Sequence, residues 1–200
     1  MIHTIFFDLG NVIIPFDFKR AYPKLQPLCN YPASEIPARM RGTDLVSSFE
    51  SGEIPPEQFV KEFCAVLEIK IGYEEFCDLW TSVFLPEPLI QESLLADLGR
   101  RHPLMILSNT NPIHFHMIQA NYPLLRHFDH CVLSYEVGAL KPQPKIFEEA
   151  VSRAGCPAAE CFFTDDLAVN VEAASKYGMD AVQFQSAAQL EAELRARRLL

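Results

Sequence analysis

The chain has 200 residues, 49% of them hydrophobic, and a formal net charge of −9. That length and apolar content suit one ordinary domain, or one domain carrying a sizeable insertion, with enough material for a real core. The acidic balance argues against a nucleic-acid partner: cations gather only in the tail Arg195-Ala196-Arg197-Arg198, where they suit a helix C-terminus facing the negative end of its dipole.

Ile5-Phe6-Phe7 is a short apolar run that stops at Asp8 and opens into the turn residues Gly10 and Asn11. Such a run suits a buried parallel strand, which places Asp8 at its carboxyl end. Val12-Ile13-Ile14-Pro15 is apolar but broken by proline, and reads as a loop leaving the sheet edge. From Phe18 to Leu85 the pattern turns helical. Short helices are predicted over 19–28, 33–41 and 43–51. A longer one runs from Glu57 to Leu67, begun by Pro55-Pro56, and another from Tyr73 to Phe84 carries Phe76, Leu79, Trp80 and Val83 on one side. Arg39, Arg41, Phe49 and Trp80 in this region read equally well as packing or surface residues.

Pro86-Glu87-Pro88 marks the return. Alternating helices and strands follow: a helix over 89–101, a strand over 104–107, a helix from Pro112 to Ala120, a strand over 131–133 and a loop to Lys141. Then come a helix from Pro144 to Ala154 closed by Gly155, a strand over 161–164 and a helix from Leu167 to Tyr177. A strand over 181–184 and a helix from Ser186 to Arg198 end the chain. This alternation predicts an α/β fold with a parallel sheet and right-handed crossovers, interrupted after its first strand by an all-helical insertion.

No run is long enough to span a bilayer and no basic leader precedes an apolar segment, so the expected location is the cytoplasm, with no membrane partner. The six cysteines, Cys29, Cys64, Cys77, Cys131, Cys156 and Cys161, form no C-x-x-C pair and read as small core residues in a reducing compartment.

Three predicted strands end in polar groups: Asp8, then Ser108-Asn109, then Asp165-Asp166. In a parallel sheet these ends share one edge, so the groups can converge. Taken singly each has a plainer reading: Asp8 as a turn residue, Ser108-Asn109-Thr110 as a helix cap, Asp165-Asp166 as caps of the next helix, Lys141 as a surface lysine. Their order and strand-end placement favour a joint one. Three gathered carboxylates repel unless a cation sits among them, and an all-oxygen set without His or Cys suits Mg2+. Asp8 can then act as a nucleophile on phosphorus, Ser108 and the main chain after it can hold phosphoryl oxygens, and Lys141 can neutralise charge.

Four segments resemble the motifs of the haloacid dehalogenase (HAD) superfamily: Phe6-Phe7-Asp8-Leu9-Gly10-Asn11-Val12, Ile106-Leu107-Ser108-Asn109-Thr110, Gly138-Ala139-Leu140-Lys141-Pro142 and Phe163-Thr164-Asp165-Asp166-Leu167-Ala168-Val169-Asn170. The resemblance implies a Rossmann-like core at 1–15 and 86–200 and a helical cap domain at 16–85 that selects the substrate. It implies Asp8 as nucleophile. Asp8, the Gly10 carbonyl, Asp165 and Asp166 would be ligands to Mg2+, and Ser108, Asn109, Lys141 and Asn11 would surround the phosphoryl group. The Asp-x-Gly-Asn start and Ser-Asn-Thr-Asn run are similar to a bacterial branch that includes an α-D-glucose-1-phosphate phosphatase. The activity so implied is phosphomonoester hydrolysis through an aspartyl-phosphate, on a small phosphorylated metabolite such as a sugar phosphate, by a monomer or homodimer.

The family pattern has a second Asp two residues after the nucleophile, as acid and base; here that position is Gly10. By nearness to the motifs, Asp17, His114 or His116 can replace it. If nothing does, the chain is a weakened enzyme or a phosphate-binding protein. Carbon–halogen hydrolysis, which also uses an Asp nucleophile, is a lesser alternative because it needs no metal and so no Asp165-Asp166 pair.

Overall fold

The computed structural model describes all 200 residues. Five parallel strands form one sheet in the order β3-β2-β1-β4-β5. β1 (Thr4–Phe7) lies at its centre with every residue buried, as a run apolar on both faces requires. Short helices follow: a continuous set of turns from Phe18 to Leu28 that includes α1 (Tyr22–Leu25), α2 (Ile36–Met40), α3 (Leu45–Glu50), α4 (Pro56–Val66) and α5 (Tyr73–Thr81). α6 (Glu92–Gly99), β2 (Leu104–Ser108), α7 (Pro112–Asn121), β3 (His130–Leu133), α8 (Ser134–Val137), α9 (Pro144–Ala154), β4 (Cys161–Asp165), α10 (Ala168–Tyr177), β5 (Asp180–Gln183) and α11 (Ala187–Ala196) complete the chain.

The α/β parallel-sheet fold expected from the sequence is present. The differences lie at element ends, in the short 3-10 turns Pro123–His127 and Ala158–Glu160, and in α8, where the sequence predicts a loop. Its four residues are too few to show a helical period, and it stops at Gly138 with φ 67°. Pro144 at the start of α9 and Gly155 with φ 65° at its end sit where the sequence puts them. Ser186 caps α11, its hydroxyl accepting from the Gln189 N–H at 3.2 Å.

Strand pleating sends alternate residues to opposite faces. Ile5, Phe7, Leu104, Ile106 and Phe162 pack with residues of α6, α7 and α11. Phe6, Met105, Leu107, Cys161 and Phe163 pack with residues of α9 and α10. The helices from 18 to 81 enclose a third apolar cluster in which Phe49, Phe59 and Phe76 are fully buried. Burying each of these rings is worth about 1.5–3 kcal/mol before entropy. Phe49 and Phe59 stack at 4.1 Å between centroids, and Trp80 lies edge-on to Phe59 at 5.1 Å. Phe49 and Trp80 are therefore packing residues. Arg39 covers the Tyr31 ring at 3.6 Å and pairs with Glu35 and Glu68, while Arg41 is exposed.

The two passages joining this helical region to the sheet lie side by side. Phe16 bridges Phe84 antiparallel, the Asp17 N–H donates to the Val83 carbonyl and the Leu85 N–H to the Pro15 carbonyl. All six cysteines are free thiols, with Cys161 buried and the rest partly buried. No helix is long and apolar enough to cross a membrane.

Candidate active site

Register brings the polar strand ends level. Phe7 pairs with Ile106 on one side and Thr164 on the other. Asp8 and Asp165 each stand one residue beyond that pair, and Ser108 two beyond Ile106. The ladder carries on into the site, since the Asp8 N–H donates to the Thr164 carbonyl at 2.9 Å. Asp8 and Asp165 share the pleat parity of Phe6 and Phe163, the face covered by α9. Lys141, in the loop before α9, is delivered to the same side.

Lys141 is buried and its three N–H donors meet three acceptors: Asp8 Oδ1 at 2.8 Å, Asp165 Oδ2 at 2.6 Å and the Leu107 carbonyl at 2.8 Å. A buried ammonium is tolerable only when matched in this way. Burial works against its charge, but Asp8 and Asp165 outweigh it and hold the Lys141 pKa above the ordinary lysine value. Burial also pushes Asp8 up to about 6; Lys141 pulls it down and Asp165 pushes it further up. Burial, then the Asp165 charge, raises Asp166 as well.

Asp165 is completely buried. Besides Lys141 it accepts from the Leu167 N–H at 2.8 Å and from Asn170 Nδ2 at 3.0 and 3.1 Å. Asp8, Asp165 and Asp166 each offer an oxygen within 4.8 Å of the others. Three carboxylates against one ammonium leave two negative charges unbalanced, and every donor atom is oxygen. That set fits a hard divalent cation such as Mg2+. The Gly10 carbonyl accepts no hydrogen bond from the chain.

The expected phosphate ligands divide into two kinds. Ser108 is buried and lines a cavity of about 50 Å³ that also touches Leu9, Gly10 and Glu50. Asn109 instead brackets the backbone of Lys141, its Nδ2 donating to the Lys141 carbonyl at 2.9 Å and its Oδ1 accepting from the Lys141 N–H at 2.7 Å. Asn11 takes the left-handed conformation at φ 53°, and its Oδ1 accepts from the Phe16 N–H at 3.2 Å. The side chains of Asn109 and Asn11 hold loops in place at the site, Asn109 also lining the cavity with Ser108 and Asn11 standing beside Asp166; the sequence does not show which local backbone groups compete for an amide.

Of the three residues suggested to replace the missing acid–base group, Asp17 and His116 do not line this cavity, and His114 lines it with both ring nitrogens engaged. Asp17 caps the turn that follows it, accepting from the Lys19 N–H at 2.9 Å, and is exposed. His116 is exposed on α7. His114 is buried, stacked on Trp80 at 5.1 Å, with one ring nitrogen at Asn111 Nδ2 and the other at the Trp80 carbonyl. Burial drives its pKa down to about 4, so it is a neutral packing group.

The residue that sequence reasoning missed is Glu50, the last of α3. Burial first, and the Asp8 charge second, push its carboxyl up to about 7. No motif marks it, because it reaches the cavity from a helix remote in sequence from every strand end.

A family model described as haloacid dehalogenase-like hydrolase matches residues 2–178. The chain belongs to that family. Among relatives of the hydrolase is the D-ribitol-5-phosphate phosphatase of Bacteroides thetaiotaomicron, 27% identical over 97% of both chains. Among solved structures, the HAD family enzyme BT-2542 of the same organism, in complex with magnesium and inorganic phosphate, superposes with a TM-score of 0.84 at 26% identity, covering 93% of this chain and 96% of that one. The L-2-haloacid dehalogenase of Xanthobacter autotrophicus shares the fold, with a TM-score of 0.67 at 18% identity, covering 100% of this chain and 85% of that one. The hydrolase thus has the α/β core its motifs implied.

Proposed function

We propose that this hydrolase cleaves phosphomonoesters of small metabolites in a Mg2+-dependent reaction, with phosphorylated sugars and sugar alcohols as the substrate class. The observation that carries the reading is the buried contact of Lys141 with Asp8 and Asp165, beside Asp166, at the carboxyl edge of the sheet. The magnesium–phosphate complex of the similar enzyme and the activity named for the Bacteroides relative support it.

In this reading Asp8 attacks phosphorus, the bond from phosphorus to the leaving oxygen breaks, and water then hydrolyses the aspartyl-phosphate. Lys141 holds Asp8 in place and neutralises charge gathering on the phosphoryl oxygens. Ser108 donates to one of those oxygens. Asn109 fixes the Lys141 backbone, and Asn11 fixes the loop after the nucleophile. Asp8, Asp165, Asp166 and the Gly10 carbonyl would hold Mg2+, which supplies charge neutralisation and a fixed orientation for the phosphoryl group. The helices of residues 16–85 act as the cap domain, joined to the core through the paired passages at Phe16 and Phe84, and exclude bulk water during the reaction. A dehalogenase reading leaves Asp165 and Asp166 without a purpose beside Asp8.

The test is phosphate release from a panel of sugar and polyol phosphates with Mg2+, comparing the native chain with Asp8→Asn. Turnover lost in the variant and in EDTA is the expected result. Mg2+-dependent phosphate binding without turnover on any substrate would make the chain a binding protein instead.

A further inference from the structure

We propose that Glu50, delivered from α3, is the proton donor to the leaving oxygen and the activator of the hydrolytic water, replacing the side chain absent at Gly10. The inference rests on the phosphatase reading above. Three observations carry it.

The space at Gly10 is already taken. A Cβ built there would stand 2.7 Å from Cε1 of Phe16, and the Phe16 ring is held edge-on by Phe18 at 5.3 Å and Phe84 at 5.9 Å. A side chain at that position would have to displace the Phe16 ring, and glycine carries no acid–base group, so the proton comes from elsewhere.

Glu50 lines the same small cavity as Gly10 and Ser108. The cavity's volume of about 50 Å³ exceeds the ~30 Å³ that one water claims in the liquid. The Glu50 carboxyl has no hydrogen-bond or ion-pair partner in the chain, whereas Asp8, Asp165 and Lys141 are all engaged. It is the one carboxyl among the residues that line the cavity.

Its backbone is clamped to the core. Ser134 Oγ donates to the Glu50 carbonyl at 2.6 Å and accepts from the Thr110 N–H at 3.0 Å, tying the end of α3 to the loop after β2. Two residues on, Gly52 has φ 74°, and a Cβ there would lie 2.2 Å from the Tyr135 carbonyl oxygen. Such closeness admits only glycine and fixes the helix end against α8.

A carboxyl at this place, without a partner in the chain, can give and take a proton. In the first half, as the bond from Asp8 to phosphorus forms and the ester P–O bond breaks, the Glu50 proton passes to the leaving alkoxide. In the second, the Glu50 carboxylate takes a proton from water as that oxygen bonds phosphorus and the Asp8–phosphorus bond breaks. This frees Asp8 and inorganic phosphate and restores the Glu50 acid.

The experiment compares Glu50→Gln with the native chain on an alkyl phosphate and on p-nitrophenyl phosphate, whose leaving group needs no proton. The expected loss is about 10²–10⁴-fold in alkyl phosphate turnover, with no burst. With p-nitrophenyl phosphate the variant should release about one equivalent of nitrophenolate at the native rate and then stall at the aspartyl-phosphate. Binding of inorganic phosphate with Mg2+, unchanged in Glu50→Gln, checks that the site is assembled. If Glu50→Gln keeps the native rate on both substrates, or loses both first turnovers equally, Glu50 has neither role, although the phosphatase reading stands as long as Asp8→Asn is inactive. If the native chain releases nothing from either ester, both fall together.

Discussion

The cost of each buried charge at this sheet edge depends on its partners. Lys141 is stable there because its three donors find three acceptors; removing any one would leave a buried charge short. His114 solves the same problem by staying neutral. With an unfolded value of 6.5 and a folded value of about 4, it binds fewer protons folded than unfolded between those limits. Its contribution is therefore absent above about pH 6.5 and becomes a penalty as pH falls toward 4, about 3 kcal/mol in full. Asp8, raised to about 6, works in the opposite sense, adding stability as pH falls. Urea unfolding at pH 7.5, 6 and 5 is expected to show a shallower acid slope for His114→Gln than for the native chain. Equal slopes would mean that the imidazole is protonated in the fold.

At the scale of elements, α3 is a short helix whose position is set at its end. Its six residues cannot sustain a helix alone; Phe49 and Leu45 anchor it in the apolar cluster of the helical region, and Ser134 and Gly52 fasten its end to α8. Gly52→Ala forces an L-residue into left-handed backbone, at about 1–2 kcal/mol, and pushes it into the Tyr135 carbonyl. The expected outcome is a displaced Glu50: turnover of alkyl phosphates falls by up to about 100-fold, while affinity for inorganic phosphate with Mg2+ is kept. Chemical denaturation and phosphate-binding calorimetry check the two halves. Loss of phosphate affinity along with turnover would show that the loop after β2 had moved too.

Over the whole molecule, two negative charges stay unbalanced at the sheet edge of an already acidic chain of net charge −9. A divalent cation that binds only the folded state stabilises it by mass action, by about 2.7 kcal/mol at a hundred times its dissociation constant. For a chain of this size that is a rise in Tm of roughly 5–10 °C. Mg2+ should produce that rise in a thermal melt and EDTA should reverse it. The same melt on Asp166→Asn should show a smaller rise. A melt indifferent to Mg2+ would mean that the carboxylate cluster is not a cation site.

The sheet and its reactive edge are legible in the order of residues. Asp8, Ser108 and Asp165 end apolar runs, parallel strands put such ends together, and register then leaves little freedom. The helical region between β1 and β2 is legible too, because 3.6-residue periodicity survives in α4 and α5. What faces that edge is set by packing. The Phe16 ring over Gly10, the neutral burial of His114, the use of Asn109 and Asn11 as loop clamps and the arrival of Glu50 all depend on contacts between segments far apart in the chain. Local pattern specifies which face of an element is apolar. Which remote side chain meets that face is fixed only when the chain packs, through close approaches such as Gly52 on Tyr135 that leave no periodic trace in the sequence.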